Sequence, residues 1–426
     1  MGRHLYSLRV QSAEYRVQSA EYRVQSTEYR VQSTEQREKR KEEREKRKKK
    51  RGKRKTYPLT ANPLIIIRSP LIENMNISLS HRTLHFRKPA RTSRGEYLTH
   101  DAIIITIRDE EGKRIGLGEC APLPDLSSDR DAYTRMSDVA RLIEQALASD
   151  NYAETLRPYP ALLFALESAM YDYQQNPLLY DTPFAHSEVG IPMNGLVWMD
   201  SYDEMLSQVK QKLRQGFKCI KLKIGAIDWE EELRLIQTIR SRFSKDTLEL
   251  RVDANGAWTP EEAEQKMAQL AQYDLHSIEQ PIAPYQWKEM AHLCALQDEA
   301  LHEGRKHLPV ALDEELIGVN SFEEKCLLLD TIRPQYIVIK PTLHGGMTGS
   351  IEWVSEANKR GIGSWMTSAL ESNIGLRNVA LLAARVYGPR ITFPQGLGTG
   401  LLYTDNIEMD MELHGSKMWR AKVEEV

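Results

Sequence analysis

Three acidic residues close three short apolar runs: Asp253 ends Leu248–Asp253, Glu279 ends Ser277–Glu279, and Asp313 ends Val310–Asp313. Lysines take the same place in the runs on either side, Lys221 and Lys223 within Cys219–Lys223 before the acids and Lys340 at the end of Tyr336–Lys340 after them. Apolar runs of this length read as strands, so each charge falls where a strand ends. Three carboxylates with converging tips are hard oxygen donors that suit Mg²⁺ or Mn²⁺. Zinc would call for His or Cys, and neither is placed here. Lys221 and Lys223 are two apart and share one face of their strand with Cys219, while Ile220, Leu222 and Ile224 take the other. Desolvation and like charge lower the pKa of paired lysines, which makes a general base available. A metal flanked by lysines suits removal of a weakly acidic proton beside a carboxylate, the cations meeting the charge that develops.

The elements that must position these groups recur with a steady beat. Strand candidates begin near Ile191, Cys219, Leu248, Ser277, Val310, Tyr336, Gly363 and Ile391, at roughly the spacing of one βα unit. Between them lie helical segments, among them Tyr202–Gln215, Trp229–Phe243, Pro260–Tyr273, Gln286–Gly304 and Ile374–Tyr387, several with acidic first turns that complement the helix dipole. This pattern predicts an α/β fold, a TIM-type (β/α)7-8 barrel over residues 187–403, whose functional groups gather at the strand C-terminal ends. A doubly wound open sheet is the rival, weakened by the absence of a G-x-G-x-x-G turn. In a ring of eight, Lys340 on the sixth strand stands opposite the lysines of the second. Residues 75–186, completed by 404–426, predict an α+β capping domain: strands at Asn76–Phe86, Asp101–Arg108 and Gly116–Pro122, then helices at Arg130–Ser149 and Pro160–Gln174. The Arg87–Tyr97 segment, rich in Arg, Ser and Gly, reads as a mobile loop, either a lid that brings arginines to an anionic substrate or a plain exposed connection.

Residues 1–74 are of another character. A heptad, Tyr-Arg-Val-Gln-Ser-(Ala/Thr)-Glu, starts at Tyr15, Tyr22 and Tyr29, and its apolar positions are too few for a coiled-coil seam. A run of 14 basic and 4 acidic residues follows at Arg37–Lys55. Such a low-complexity extension is expected to be disordered or loosely helical. It reads as translated repeat DNA ahead of a start at Met75, with a nucleic-acid or interaction arm as the non-enzyme alternative. The extension holds 20 Lys/Arg and 9 Asp/Glu, which leaves 38 basic against 51 acidic residues in the rest. An acidic body argues against nucleic acid as the partner. Four scattered cysteines (Cys120, Cys219, Cys294, Cys326) form no C-x-x-C pair and read as reduced thiols. No apolar run is long enough to span a membrane, so a cytoplasmic location is expected. Oligomeric state leaves no mark in the sequence.

From about Asn76 to Asp410 the chain resembles the enolase superfamily, muconate-lactonizing subgroup. The stretches that carry the resemblance are GECAPLPDLSSD (Gly118–Asp129), IPMNGLVWM (Ile191–Met199), KLKIG, RVDANGAW, IEQP, ALDEEL, VIKP, TSALESNIG (Thr367–Gly375) and QGLGTGLLYTDNI (Gln395–Ile407). The resemblance implies Asp253, Glu279 and Asp313 as metal ligands, supported by Asn255, and catalytic lysines Lys223 and Lys340 assisted by Lys221. Within the subgroup, the resemblance of the stretches around Asn194, Ser368 and Gly396 implies Mg²⁺-dependent syn dehydration of 2-succinyl-6-hydroxy-2,4-cyclohexadiene-1-carboxylate, a step of menaquinone biosynthesis. Lys223 is then the base that removes the α-proton and returns it to the departing hydroxide. Lys340 stays protonated and stabilises the enediolate, by cation–π attraction across the ring. Arg251 is expected to orient the substrate carboxylate, and Asn194 to bind substrate. The turn Ser368–Ser372 is expected to cradle the succinyl carboxylate, with a plain βα turn as the other reading. Racemisation of N-acylamino acids is the enzyme alternative, because it needs the same two lysines. Dipeptide epimerisation fits less well, since Phe393-Pro394-Gln395-Gly396 lacks the Asp-x-Asp that would hold an α-ammonium group.

Overall fold

A computed structural model of the chain describes residues 65–67, 75–92, 95–225, 227–389, 391–398 and 402–421. The heptad repeat and the basic run at 37–55 lie outside the described residues. Four strands form an antiparallel sheet in chain order: β1 (Ile65–Ile67), β2 (Met75–Thr92), β3 (Gly95–Asp109) and β4 (Ile115–Cys120). β1 falls inside the stretch assigned to the extension: Ile65 pairs with Leu79 and Ile67 with Ile77. Pairing thus begins before Met75, because three consecutive β-branched residues favour a strand. The expected mobile loop at Arg87–Tyr97 is also largely strand. β2 and β3 run on as one hairpin in which Ala90 pairs with Tyr97 and Thr92 with Gly95, after a register shift past His85.

Helices α1 (Met136–Leu147), α2 (Tyr152–Leu156) and α3 (Pro160–Gln174) follow, then a single turn, α4 (Pro177–Tyr180). Pro160 stands in the first turn of α3, where its missing N–H costs nothing. α3 is buried on nearly every side, and Gly118 is what lets β4 lie against it. A Cβ at Gly118 would meet the Ala165 carbonyl oxygen at 1.8 Å.

Strand and helix then alternate through β6 (Gly195–Val197), α5 (Tyr202–Arg214), β7 (Cys219–Lys223), α6 (Trp229–Arg240), β8 (Glu249–Asp253), α7 (Pro260–Leu270), β9 (Ser277–Glu279), α8 (Trp287–His302), β10 (Val310–Leu312), α9 (Phe322–Ile332), β11 (Tyr336–Ile339), α10 (Gly346–Lys359), β12 (Gly363–Met366) and α11 (Asn373–Val386). Capping boxes at Thr259/Glu262 and Ser321/Glu324 start α7 and α9. The strands pair in parallel as one curled seven-stranded sheet ordered from β6 to β12. The strand predicted from Ile191 divides: β5 (Ile191–Pro192) pairs with β14 (Lys417–Arg420), which pairs with β13 (Met411–His414). The eighth strand, predicted from Ile391, contracts to two residues. Gln395 bridges Met193 and Gly396 bridges Thr367, so Gln395–Gly396 joins the two edges of the sheet. Gly396 is required there, since a Cβ would lie 2.1 Å from Thr367 Oγ1.

The antiparallel sheet with α1–α3 and the β/α part each have an apolar cluster of their own, yet all described residues belong to one compact unit. Buried polar groups tie the parts together. Glu167 of α3 accepts from the Met347 and Thr348 N–H groups at the start of α10. Glu119 of β4 accepts from Ser372 N–H, Ser372 Oγ–H and Gly375 N–H at the start of α11. Each carboxylate thus satisfies N–H groups that a helix end leaves unpaired. Arg157 donates from Nη1 to Glu352 of α10 at 2.9 Å, and Glu352 also accepts from the buried Lys325.

Candidate active site

Register explains how the charged residues meet. Lys223 pairs with Asp253 and Asp253 with Glu279, so these three side chains sit in one tier on the inner face. Asp313 follows β10 and Lys340 follows β11, each at its strand's C-terminal end. Asp253, Glu279 and Asp313 are buried completely or almost so. Lys221 Nζ bridges Asp253 Oδ2 at 2.8 Å and Glu279 Oε1 at 2.7 Å. Lys223 Nζ donates to Asp253 Oδ2 at 3.1 Å and to Asn255 Oδ1 at 2.6 Å. Lys340 Nζ is paired with Asp313 Oδ2. Asn255 adds two bonds, its N–H to Asp253 Oδ1 and its Nδ2 to Glu314 Oε1, both at 3.0 Å.

Lysines pair with all three acids, Lys221 with Asp253 and Glu279 and Lys340 with Asp313. Among the described residues no group of three or more His, Cys, Asp or Glu side chains is close enough to hold an ion as it stands. Buried carboxylates repel one another, and the ammonium groups of Lys221 and Lys340 offset that repulsion. The donor set nonetheless fits a hard divalent cation. It offers carboxylate oxygens alone, and Asp313 Oδ1 is buried without a hydrogen-bond partner among the described residues.

At Lys221 the shift runs opposite to the depression expected of paired lysines. Burial disfavours the charge on Lys221, but Asp253, Glu279 and Asp313 outweigh it and hold the ammonium above its usual range. Lys340 is raised in the same way, burial being outweighed by Asp313 first. Burial would raise Asp253, yet Lys221 and Lys223 bring it well below the usual carboxylate range. Glu279 is pushed up, by burial and then by Asp253 beside it.

Above this tier opens a cavity of about 160 Å³ lined by all three lysines, Asn194, Asn255, Ser368 and apolar side chains that include Leu123, Trp198 and Leu370. Of the expected substrate contacts, Asn194 and Ser368 line it; Arg251 and Ser372 do not. Arg251 sits one tier below Asp253, where Nε donates to Glu249 at 2.7 Å, Nη1 reaches the Pro394 carbonyl and the guanidinium stacks on Trp365. It shares a strand face with Asp253 but lies two residues earlier, in register with Lys221, and its guanidinium is turned to Glu249 and Pro394. Ser372 is fully buried and gives its N–H and hydroxyl to Glu119, so it starts α11 instead of facing a ligand. Sequence reasoning missed the Tyr97, Leu126 and Trp198 walls, which carry no charge and no spacing signal. Glu314 was within reach, since it follows Asp313 directly.

A family model described as "Enolase C-terminal domain-like" matches residues 204–400. The o-succinylbenzoate synthase of Desulfotalea psychrophila (strain LSv54) is 40% identical over 378 residues, 81% of this chain and 98% of that protein. The crystal structure of MenC from the same strain superposes with a TM-score of 0.66 at 37% identity, covering 81% of this chain and 99% of that one. A dipeptide epimerase from Enterococcus faecalis V583, crystallised with Mg and L-Leu-L-Tyr, shares the fold with a TM-score of 0.67 at 19% identity over 84% of this chain and 98% of its own. This chain belongs to the enolase superfamily. Within it, the relative with 40% identity is an o-succinylbenzoate synthase, matched over nearly its whole length.

Proposed function

We propose that this chain is a carbon–oxygen lyase that dehydrates 2-succinyl-6-hydroxy-2,4-cyclohexadiene-1-carboxylate to 2-succinylbenzoate. The observation that carries the reading is one cavity lined by Lys223 of β7 and by Lys340 just after β11, four strands away, with three carboxylates buried at the ends of the strands between them. Asp253, Glu279 and Asp313 would hold Mg²⁺, with Mn²⁺ as a substitute. When bound, the ion supplies positive charge beside the substrate carboxylate. Lys223, held at Asp253 and Asn255, takes the proton α to that carboxylate. It then returns the proton to the hydroxide that leaves the adjacent carbon, so one C–H and one C–O bond break, water departs and the ring becomes aromatic. Lys340 remains an ammonium ion because Asp313 and its neighbours favour that form, and it faces the charge that accumulates on the ring. Asn194 and Ser368 contact the substrate from the cavity wall. We read the curled sheet as a β/α barrel over 187–403, closed by Gln395–Gly396 and capped by 75–186 with 404–426. The substrate is a small carboxylate, nucleic acid has no part in the reaction, and the enzyme works in the cytoplasm.

The test supplies purified protein and Mg²⁺ with the cyclohexadiene substrate and, separately, with an N-succinylamino acid. Appearance of 2-succinylbenzoate supports the dehydratase. Turnover of the amino acid alone would replace it with the racemase.

A further inference from the structure

The wall of the cavity at Ser368–Leu370 contains a backbone conformation that its sequence does not favour. Leu370 has φ +68°, a left-handed conformation that leucine rarely adopts and glycine takes freely. Its side chain lines the cavity beside Ser368 and Ala369. Two donors from outside the β/α units converge on its carbonyl oxygen: His100 Nδ1 of β3 at 2.8 Å and the Tyr403 hydroxyl at 2.5 Å. The two donors also touch each other, His100 Nδ1 lying 3.2 Å from Tyr403 Oη. Tyr403 is itself anchored, bridging Phe86 of β2 and packing its ring 4.6 Å from the Phe86 ring. On the other side of the turn, Ser368 N–H donates to the Gly396 carbonyl and Ala369 N–H to Glu371.

A carbonyl oxygen can only accept, so the His100 proton sits on Nδ1. Nε2 is buried as well. Burial favours the neutral ring and outweighs the Leu370, Pro122 and Ala121 backbone groups, which favour its charge. Backbone strain of this kind persists only where surrounding groups over-determine it, and it gathers at ligand sites.

We propose that His100 and Tyr403 are positioning residues that clamp the Leu370 carbonyl and thereby preset the Ser368–Leu370 wall against the substrate's succinyl arm. The proposal rests on the dehydratase reading. It makes the antiparallel sheet and the segment after residue 402 part of substrate recognition, although neither His100 nor Tyr403 lines the cavity. Releasing the carbonyl lets Leu370 relax to negative φ and moves the wall, which weakens binding in ground and transition states alike.

The experiment compares Tyr403→Phe, His100→Ala and the double variant by dehydration kinetics and thermal melting. A rise in KM of about tenfold in the double variant, with kcat changed by less than about threefold, is expected for lost uniform binding. Combined with Leu370→Gly, Tyr403→Phe should add little, because glycine adopts the left-handed conformation unaided. A lowered Tm with unchanged KM, or an equal Tyr403→Phe penalty with and without Leu370→Gly, overturns the proposal. A crystal structure of the double variant decides it without turnover: Leu370 at negative φ supports the clamp, and φ retained near its present value refutes it. If the wild-type enzyme leaves the cyclohexadiene untouched while the variant relaxes, the dehydratase reading falls and the clamp stands.

Discussion

At the scale of single residues, the site works by setting lysines against carboxylates in a place with little water. Lys223 donates to two acceptors and reaches the cavity, so Lys223→Ala should lower kcat by about 10²–10⁴-fold or more while leaving the melting temperature nearly unchanged. Wild-type turnover in that variant would remove Lys223 as the base. Asp253 accepts from Lys221, Lys223 and the Asn255 N–H, and Asp253→Asn removes its negative charge and one of its two acceptor oxygens. Calorimetric titration should show Mg²⁺ affinity falling at least tenfold, because the amide carries no charge and keeps one of the two oxygens. Unaltered affinity would take Asp253 out of the ligand set. These residues were legible in the sequence because their charge is anomalous at the end of an apolar run. Arg251 has the same anomaly and misled for that reason, since only the depth of its tier assigns it to Glu249 and Trp365. Ser372 misled in the opposite way: a hydroxyl beside a candidate cradle is taken by Glu119, which is distant in the chain.

At the scale of elements, two carboxylates of the antiparallel part seat two helices of the β/α part. Glu119 and Glu167 are fully buried, and burial, more than any neighbouring charge, pushes each up to about 7 from 4.5. The folded state therefore binds more protons than the unfolded chain between those values. The stability each group contributes is fully present below about pH 4.5 and is lost as pH rises to about 7, a change of about 3 kcal/mol per group at most. Urea unfolding of wild type, Glu119→Gln and Glu167→Gln at pH 5 and pH 8 should show a flatter pH dependence in each variant. An unchanged slope would mean that these carboxyls are ionised throughout. Gly396 is the other point where an element depends on one residue, because its Cα approaches Thr367 at the junction of the sheet's edges. Gly396→Ala should lower stability by about 1–3 kcal/mol through overpacking, read from the same unfolding curves. The helices and most strands were legible from periodicity and acidic first turns. The contraction of the eighth strand to two bridging residues was not, since an apolar run at Ile391 has the same composition whether or not its backbone pairs.

At the scale of the whole molecule, the earliest residue lining the cavity among the described residues is Tyr97. Trimming residues 1–62 should leave kcat and KM unchanged and abolish any retention on DNA. A loss of turnover would give the basic segment a role in the reaction. Chelation should stop dehydration, and Mg²⁺ or Mn²⁺ should restore it; activity that persists after exhaustive chelation would remove the metal. The sequence by itself determined the strand–helix alternation, the face each lysine and acid occupies and the carboxylate chemistry, because these follow from local periodicity and residue type. Only the tertiary structure decided which charged groups meet, that Arg251 lies below the site, that Ser372 belongs to a helix start and that β2 and β3 form one long hairpin. Those outcomes depend on tier depth, on buried groups that need partners from distant segments and on strand register, and no local window of sequence contains that information.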